Sequence, residues 1–360
     1  MKYITGDKWL RVTGYWLMLL GIILIAGCSS DSTGADGDGM DVPRQGHPLQ
    51  VVPYTANYQA ADFQMRAVSE DYSLYTPDHE IAIGLYVLEN GEVSGTPEVK
   101  LISYSNNDWH SQATVEEGKN YTIYGFMPKK NPISSSISKS DGVVTLTLSN
   151  ISTVSADDVC FITGVKDRDG NLQQGQFGYT GKDDDNYIRL LLDHLFASVK
   201  FNFQVDATYN NLRKIKVKLL KLNTTAGTMT ATITLTPNTT YTYPATVEYT
   251  TPAEGTSSAT FFESVKGMEI LSTTTTSFVC CFAPVVSNNL TLVTTYDVYD
   301  RKGNLIRKDC EATNKLPNNL HLTSQPMRGE QVTLTLTVNP TYLYQLSDPD
   351  LDNPTFTIEE

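Results

Sequence analysis

The chain has 360 residues, of which 40% are hydrophobic, and a formal net charge of −13. This length carries enough apolar material for two ordinary domains. The acidic balance argues against nucleic acid as a partner and against electrostatic docking on anionic lipid.

The N-terminus is predicted to be a signal peptide over residues 1–27. A basic stretch at residues 2–11 precedes an apolar run at residues 16–25, which is too short for a comfortable membrane span. The sequence Ile25-Ala26-Gly27-Cys28 then places small residues before a cysteine and resembles the lipobox of bacterial lipoproteins. A plain secretory signal followed by an incidental cysteine is the alternative.

The lipobox resemblance implies that Cys28 begins the mature chain, with its thiol diacylated and its amine acylated. Several acyl chains anchor a protein stably where one would not. Residues 28–48 are predicted to be a flexible acidic tether, because positions 29–39 hold no large apolar side chain. Acidic residues soon after a lipidated cysteine resemble the export signal of surface lipoproteins in Gram-negative bacteria. We therefore expect a surface-exposed lipoprotein of the cell outer membrane.

After the tether the sequence predicts an all-β protein. Short alternating runs of β-branched and aromatic residues, such as residues 121–126, 143–148 and 331–338, are separated by Gly, Asn, Asp and Pro. No long amphipathic helix competes with them. Strand-like runs every dozen or so residues are typical of Greek-key β-sandwiches rather than of βαβ units.

A charged, turn-like break at residues 181–186 is the best candidate for a domain boundary. It predicts an N-terminal β-sandwich over residues 49–186 and a C-terminal β-sandwich over residues 187–341. The six residues 167–172 recur in similar form at 300–305, and both stretches predict turns in which Gly supplies a positive φ. A duplication that produced two related halves would explain this similarity, although unrelated turns also often contain these residue types.

Several stretches together resemble the fimbrillin family of pilins and accessory lipoproteins. They are the lipobox at Cys28, the step Met65-Arg66-Ala67, the strand-like Ile81–Tyr86 and above all the phrase Leu192–Phe201. The resemblance implies two tandem transthyretin-like β-sandwiches, export as a lipoprotein, trimming by an Arg-directed protease and polymerisation with other fimbrial subunits by strand exchange. Met65 stands where the family usually has Thr. The sequence names no host or bacterial surface receptor.

Cleavage after Arg66, with Ala67 as the new N-terminus, also has a physical rationale. Residues 49–54 and 62–65 are strand-like and lie upstream of Arg66, so a cut there would detach a leading strand from the first sandwich. A missing strand leaves an apolar groove with unpaired backbone groups, which must be refilled. Cleavage at Arg44, in the tether, would only release the protein. The alternative is that Arg66 is an ordinary surface arginine.

The tail over residues 342–360 is a possible donor strand. Phe356 and Ile358 alternate with Thr355 and Thr357, which is the period of a strand with one buried face. Such a strand can add to the sheet of a neighbouring subunit. It can equally close back on its own domain.

No enzyme motif is present, and we expect neither catalysis nor a cofactor nor a metal. The five histidines are scattered, and His194 lies in an apolar run where a hydrogen-bonded structural histidine is expected. The acidic runs 183–185 and 348–353 lack the glycine and terminal Glu of a calcium loop, so solvated turns are expected there.

The cysteines and the single mature tryptophan leave two questions open. Four cysteines remain besides Cys28, and their spacing does not choose among three disulfide pairings; they are Cys160, Cys280, Cys281 and Cys310. The alternative function is a surface glycan-binding lipoprotein. Trp109 is the only tryptophan left after the signal peptide, which counts mildly against that function, while abundant tyrosines keep it open.

Overall fold

The computed structural model describes residues 46–60, 71–241, 245–316, 327–342 and 349–359, and its regular structure is almost entirely β-strand. The predicted all-β class is therefore confirmed. The strands, in chain order, are β1 (His47–Pro48), β2 (Gln50–Ala56), β3 (Gln59–Ala60), β4 (Tyr72–Leu74), β5 (Ile81–Glu89), β6 (Lys100–Ser105), β7 (Asp108–Ser111), β8 (Thr114–Val115), β9 (Asn120–Met127), β10 (Ser134–Ser140), β11 (Val143–Ser152), β12 (Val154–Ser155), β13 (Cys160–Lys166), β14 (Gly178–Thr180), β15 (Tyr187–His194), β16 (Ala197–Val205), β17 (Arg213–Ala226), β18 (Thr228–Leu235), β19 (Ala245–Tyr249), β20 (Glu254–Ile270), β21 (Thr276–Phe282), β22 (Leu290–Asp300), β23 (Leu305–Lys315), β24 (Glu330–Tyr342) and β25 (Pro349–Glu359). A short helix, α1 (Ala207–Asn210), and a 3₁₀ helix (Pro284–Val286) accompany them. Within the described residues, no helix has the length and apolar character needed to cross a membrane.

The largest sheet has nine strands, in the order β4-β2-β15-β13-β9-β5-β6-β7 with β14 also on β9. Most neighbours are antiparallel, but β2 runs parallel to β15. The central strands are nearly continuous apolar runs; β13, for example, is buried at every residue except the last. Strands covered on both faces are expected to lose the alternating pattern in this way.

A four-stranded sheet, β10-β11-β18-β19, takes strands from both halves of the chain. Its central pair, β11 and β18, is antiparallel, with Leu146 opposite Ile233. β18 alternates strictly between buried apolar residues and more exposed threonines, and β11 does so up to Leu148, after which Ser149 and Asn150 interrupt the pattern; each strand therefore has one face toward the core. The Tyr86 hydroxyl of β5 lies 2.8 Å from the Ser135 hydroxyl of β10, and this contact links the sheet to the nine-stranded one.

A six-stranded sheet, β12-β21-β16-β24-β25 with β3 also on β24, faces a second four-stranded sheet, β20-β17-β22-β23. Phe201 of β16 stacks on Phe261 of β20 with ring centroids 5.6 Å apart, which joins the two layers. Nearly all buried apolar side chains of the described residues form one connected cluster, from Leu49 to Phe356.

The predicted boundary between residues 186 and 187 precedes β15, and β15 pairs with β13 and β2 in the nine-stranded sheet. The chain changes sheets after His194, where β16 enters the six-stranded sheet. The division into two sandwiches, and their transthyretin-like identity, stay predictions. The pairing of β11 with β18 shows that strands from the two halves of the chain meet in one sheet.

The two similar six-residue stretches form the same kind of turn. Gly170 and Gly303 both have φ of 87°. The Asp167 carboxylate accepts from the Asn171 amide, and the Asp300 carboxylate accepts from the Asn304 amide, each at 2.8 Å. The predicted turns with a positive-φ glycine are therefore confirmed. The second connects the paired strands β22 and β23.

Candidate functional site: the N-terminal strand and its neighbours

Residues 46–60, here called the N-terminal segment, contribute strands to both the nine-stranded and the six-stranded sheet. The segment pairs with β8 through β1, with β15 and β4 through β2, and with β24 through β3. The strand predicted at residues 49–54 is thus present as β2. Its position is interior, because it has a hydrogen-bonded strand on each side.

The side chains of β2 follow the pattern of a strand with one buried face. Leu49, directly before β2, is buried, as are Val51 and Pro53 within it, whereas Gln50 is exposed; the alternation ends at the last residue, Ala56, which is also buried. Burial of this kind contributes about 1.5–3 kcal/mol for each fully buried Leu or Val side chain. The backbone ladder to β15 extends over six residue pairs, from Gln50 to Thr55.

The end of β2 is held by His194, the last residue of β15. The Nε2–H of His194 donates to the Ala56 carbonyl oxygen at 2.6 Å. The Tyr58 ring stacks on the imidazole at a centroid distance of 3.7 Å and an angle of 16°. His194 is only 2% exposed, so the N-terminal segment covers a histidine that has no access to bulk water.

Acidic and sulfur-containing side chains surround this histidine. Oδ2 of Asp158 lies 2.8 Å from Nδ1 of His194, and Sγ of Cys160 lies 3.7 Å from the same nitrogen. The Tyr58 hydroxyl donates to Oδ1 of Asp158 at 2.8 Å and lies 3.4 Å from Sγ of Cys281. Residues from β13, β15, β21 and the N-terminal segment therefore meet at one point.

The pKa values of His194 and Asp158 move apart. Burial alone lowers the pKa of His194, but the Asp158 and Asp193 carboxylates outweigh it, so that this pKa lies above its ordinary value. Burial also opposes ionisation of Asp158, yet His194 and the Tyr58 hydrogen bond bring the pKa of Asp158 below its ordinary value. Each group therefore favours the charged form of the other, the imidazolium of His194 and the carboxylate of Asp158. Burial raises the pKa of the Cys160 thiol well above its usual range, which keeps it protonated.

A second ion pair lies beside the first. Nη1 of Arg328 donates to Oδ2 of Asp193 at 2.6 Å and to the His194 carbonyl oxygen at 2.9 Å. Both side chains are buried. Paired, hydrogen-bonded charges are the form in which charge is tolerated inside a protein.

The predicted lipidation and processing residues Cys28, Arg66 and Ala67 lie outside the described residues, as do the signal peptide, Arg44 and His321. Their roles stay predictions. Arg66 falls between β3 and β4 in the chain. A cut there would separate β2 from the rest of the protein while leaving its neighbours β4 and β15 behind.

The C-terminal strand lies on its own chain. In β25, Phe356 pairs with Val338 and Ile358 pairs with Leu336, both on β24. Phe356 is buried and its ring lies 4.9 Å from that of Tyr296. Thr355 and Thr357 are exposed, so the predicted alternation is confirmed. Of the two arrangements left open by the sequence, the single chain adopts closure on itself; donation to a partner stays a prediction.

The remaining cysteines, the tryptophan and the acidic runs singled out in the sequence show no second functional site within the described residues. Cys160, Cys280, Cys281 and Cys310 are free thiols. Trp109 on β7 is partly buried and packs against Tyr75 and Tyr104, an arrangement that does not favour a flat platform for a sugar. Asp183 lies 3.6 Å from the His47 imidazole, and Asp185 forms an ion pair with Arg168. The acidic run 348–353 falls where no side chains are described.

Sequence reasoning identified His194 as buried and hydrogen-bonded, and this is confirmed. It did not anticipate Tyr58, Asp158, Cys160 and Cys281 as its neighbours. Those residues are distant in the chain and carry no shared motif. The signal available in the sequence was a histidine inside an apolar run. A buried histidine needs hydrogen-bond partners, and these must come from other parts of the chain.

No known family profile and no curated protein matches the chain. Among solved structures, a candidate cell adhesion protein from Bacteroides uniformis aligns over 86% of this chain and 98% of its own, with 13% identity and a TM-score of 0.35. A fimbrial protein from Bacteroides vulgatus aligns over 77% and 92%, with 14% identity and a TM-score of 0.32. The fimbrial anchor protein Mfa2 from Porphyromonas gingivalis aligns over 86% and 96%, with 12% identity and a TM-score of 0.22. Alignments at these TM-scores do not establish a common fold.

Proposed function

We propose that the protein is a non-enzymatic fimbrial subunit or accessory fimbrillin-like lipoprotein, anchored in the outer membrane through Cys28. In this proposal a protease cuts after Arg66, the N-terminal segment leaves with β2, and a strand from another subunit replaces it. The observation that carries the proposal is the interior position of β2, between β15 and β4 and upstream of Arg66.

Because β2 lies between β15 and β4, its loss would leave a gap between these two strands, here called the slot, rather than a shortened sheet edge. Backbone groups on β15 and β4 would lose their partners on the two sides of the slot. Leu49 and Val51 would leave an apolar space behind them. The burial of each side chain contributes about 1.5–3 kcal/mol to stability, and this contribution would be lost. Unpaired backbone groups next to apolar surface are costly. A processed chain would therefore gain stability by accepting a new strand.

The strand proposed to fill the slot is β25 of a neighbouring subunit. It has Phe356 and Ile358 on one face and threonines on the other. A strand that replaces β2 needs this alternation, because one of its faces would contact the apolar core and the other would face solvent. In the single chain β25 borders β24 at the edge of its sheet. Donation therefore requires that this edge strand detach from β24 and that Phe356 leave Tyr296 and Phe203, after which β25 pairs with another fimbrial subunit.

The test compares Arg66→Ala with the control Arg44→Ala. Each variant removes one arginine upstream of β4, but only Arg66 lies after β2. Surface-extracted wild-type protein is expected to begin at Ala67, and electron microscopy is expected to show it in fimbriae. Arg66→Ala should retain β2 and block assembly, whereas Arg44→Ala should assemble like the wild type. Normal assembly of Arg66→Ala would contradict the exchange mechanism.

The lipid anchor is tested separately with Cys28→Ala. Fatty-acid labelling should be abolished and the uncleaved precursor should accumulate, because the acylated thiol is removed. Labelling that persists in Cys28→Ala would rule out this anchor.

A further inference from the structure

Three side chains with metal-binding atoms lie beneath the N-terminal segment. Asp158 precedes β13, Cys160 begins β13 and His194 ends β15; their ligand atoms all lie within 4.8 Å of one another. Nδ1 of His194 is the common point, 2.8 Å from Oδ2 of Asp158 and 3.7 Å from Sγ of Cys160. A carboxylate, a thiol and an imidazole therefore converge in one buried place.

The imidazole has the orientation expected of a metal ligand. Its Nε2 lies 2.6 Å from the Ala56 carbonyl oxygen, and a carbonyl only accepts, so Nε2 carries the proton. Metal-binding histidines almost always donate this second N–H to a carbonyl or carboxylate, which fixes the ring and aims the other nitrogen at the metal. In His194 the other nitrogen is Nδ1, which faces Asp158 and Cys160.

The spacing of the nitrogen and the sulfur fits zinc. Zinc–nitrogen bonds of about 2.05 Å and zinc–sulfur bonds of about 2.3 Å, at a tetrahedral angle, separate the two atoms by about 3.6 Å. The observed separation is 3.7 Å. The carboxylate oxygen is closer to Nδ1, at hydrogen-bond distance. It has to rotate outward when an ion replaces the proton between them.

Charge balance also suits a divalent ion. A divalent cation held by a neutral imidazole, the Asp158 carboxylate and the Cys160 thiolate makes a site of zero net charge, so no uncompensated charge is buried. Thiolate and imidazole ligands select zinc over calcium or magnesium.

We propose that Asp158, Cys160 and His194 form a zinc site that joins the start of β13 to the end of β15 beneath the N-terminal segment. The Tyr58 hydroxyl borders the cluster, 2.8 Å from Oδ1 of Asp158 and 3.4 Å from Sγ of Cys281. The site does not depend on cleavage at Arg66.

The test measures zinc in the full chain expressed with zinc in the medium and then dialysed extensively. About one zinc ion per chain is expected for the wild type and for the control Cys310→Ser, whose sulfur lies on β23. Cys160→Ser and Asp158→Asn should each weaken zinc binding by more than about tenfold, since even residues outside the ligand set cost that much. Two near-isosteric variants are used so that one remains informative if the other does not fold, which circular dichroism reveals.

Thermal unfolding supplies a second readout. Zinc should raise the melting temperature of the wild type and of Cys310→Ser, and should leave that of Asp158→Asn unchanged, because only an ion bound to the folded state stabilises it. A wild type that retains no zinc would overturn the proposal and leave a buried ion pair. Equal zinc retention by all variants would overturn it as well, because the ion would lie elsewhere.

Discussion

The strands nearest the two ends of the described chain, β2 and β25, both cover apolar core, but they are held differently. β2 lies between two strands, and its last carbonyl accepts a hydrogen bond from His194. β25 has a strand on one side, β24, together with a hydrogen bond from the Asn314 side chain to the Phe356 carbonyl oxygen at 2.7 Å. An edge strand loses one ladder when it leaves, whereas an interior strand loses two.

This difference assigns the two strands different parts in the proposed exchange. β25 can detach without any covalent cut, and it leaves behind a new edge on β24 together with the apolar surface that Phe356 had covered. β2 is held on both sides and joined to β4 through residues 61–70, so its departure calls for cleavage of the chain. A proteolytic step upstream of β4 would therefore control when the slot opens, and each prediction below tests one part of this contrast.

The largest effect is expected from Val51→Asp in β2. An aspartate at this buried position has no cationic partner in its strand, and the free energy of unfolding should fall by about 4 kcal/mol or more. Denaturant unfolding measures the loss. The matched control, Gln50→Asp at the neighbouring exposed position, should change stability by less than about 0.5 kcal/mol. Equal effects of the two variants would show that β2 is not packed as described.

Phe356→Ala in β25 should have the next largest effect. Its ring packs against Tyr296 and Phe203, and removal of a buried phenylalanine should cost about 3 kcal/mol of unfolding free energy. Thr357→Ala, on the exposed face of the same strand, is the control and should be nearly neutral. If Phe356→Ala were as mild as Thr357→Ala, β25 would not be part of its own chain's core.

Tyr58→Phe sharpens the description of how the N-terminal segment is held. It removes the hydroxyl that donates to Asp158 while keeping the ring stacked on His194, and the stability loss should be about 1–3 kcal/mol. Tyr54→Phe is the control, because its ring contact with Arg189 is retained. Limited proteolysis of the N-terminal segment should follow the same order. Identical behaviour of the two variants would mean that the Tyr58 hydroxyl contributes nothing.

The smallest effect is a pH dependence of stability in zinc-free protein. The raised pKa of His194 means that its contribution is complete below the unfolded value of about 6.5 and is lost as the pH rises through the folded value. The lowered pKa of Asp158 means that its contribution is present above about 4 and is lost in more acidic solution. The melting temperature should therefore decline above pH 6.5, and His194→Gln should show a flatter profile there. A wild-type melting temperature that does not fall above pH 6.5 would contradict the ion pair.

The all-β class, the strand at residues 49–54 and the alternation around Phe356 could be predicted from the sequence. These features have a local cause, because successive side chains of a strand point to opposite faces and the apolar residues mark the buried one. The turns at Gly170 and Gly303 were predictable for a similar reason, since a positive φ favours glycine.

Strand partners were decided by the tertiary structure. The charged break at residues 181–186 predicts a domain start at residue 187, but it carries no information that β15 pairs with β13 and β2. Likewise β11 pairs with β18 from the other half of the chain, and β25 pairs with β24. A strand's own sequence specifies which face is buried but not which distant edge completes its ladder.

The cluster around His194 belongs wholly to the tertiary structure. The sequence determined that a histidine would be buried and need partners, because Leu190–Phe201 is an apolar run that contains it. Only the packing of the N-terminal segment, β13 and β21 against β15 brings Tyr58, Asp158, Cys160 and Cys281 to that histidine. Residues that far apart in the chain meet because the sheets align them, and no local pattern encodes that alignment.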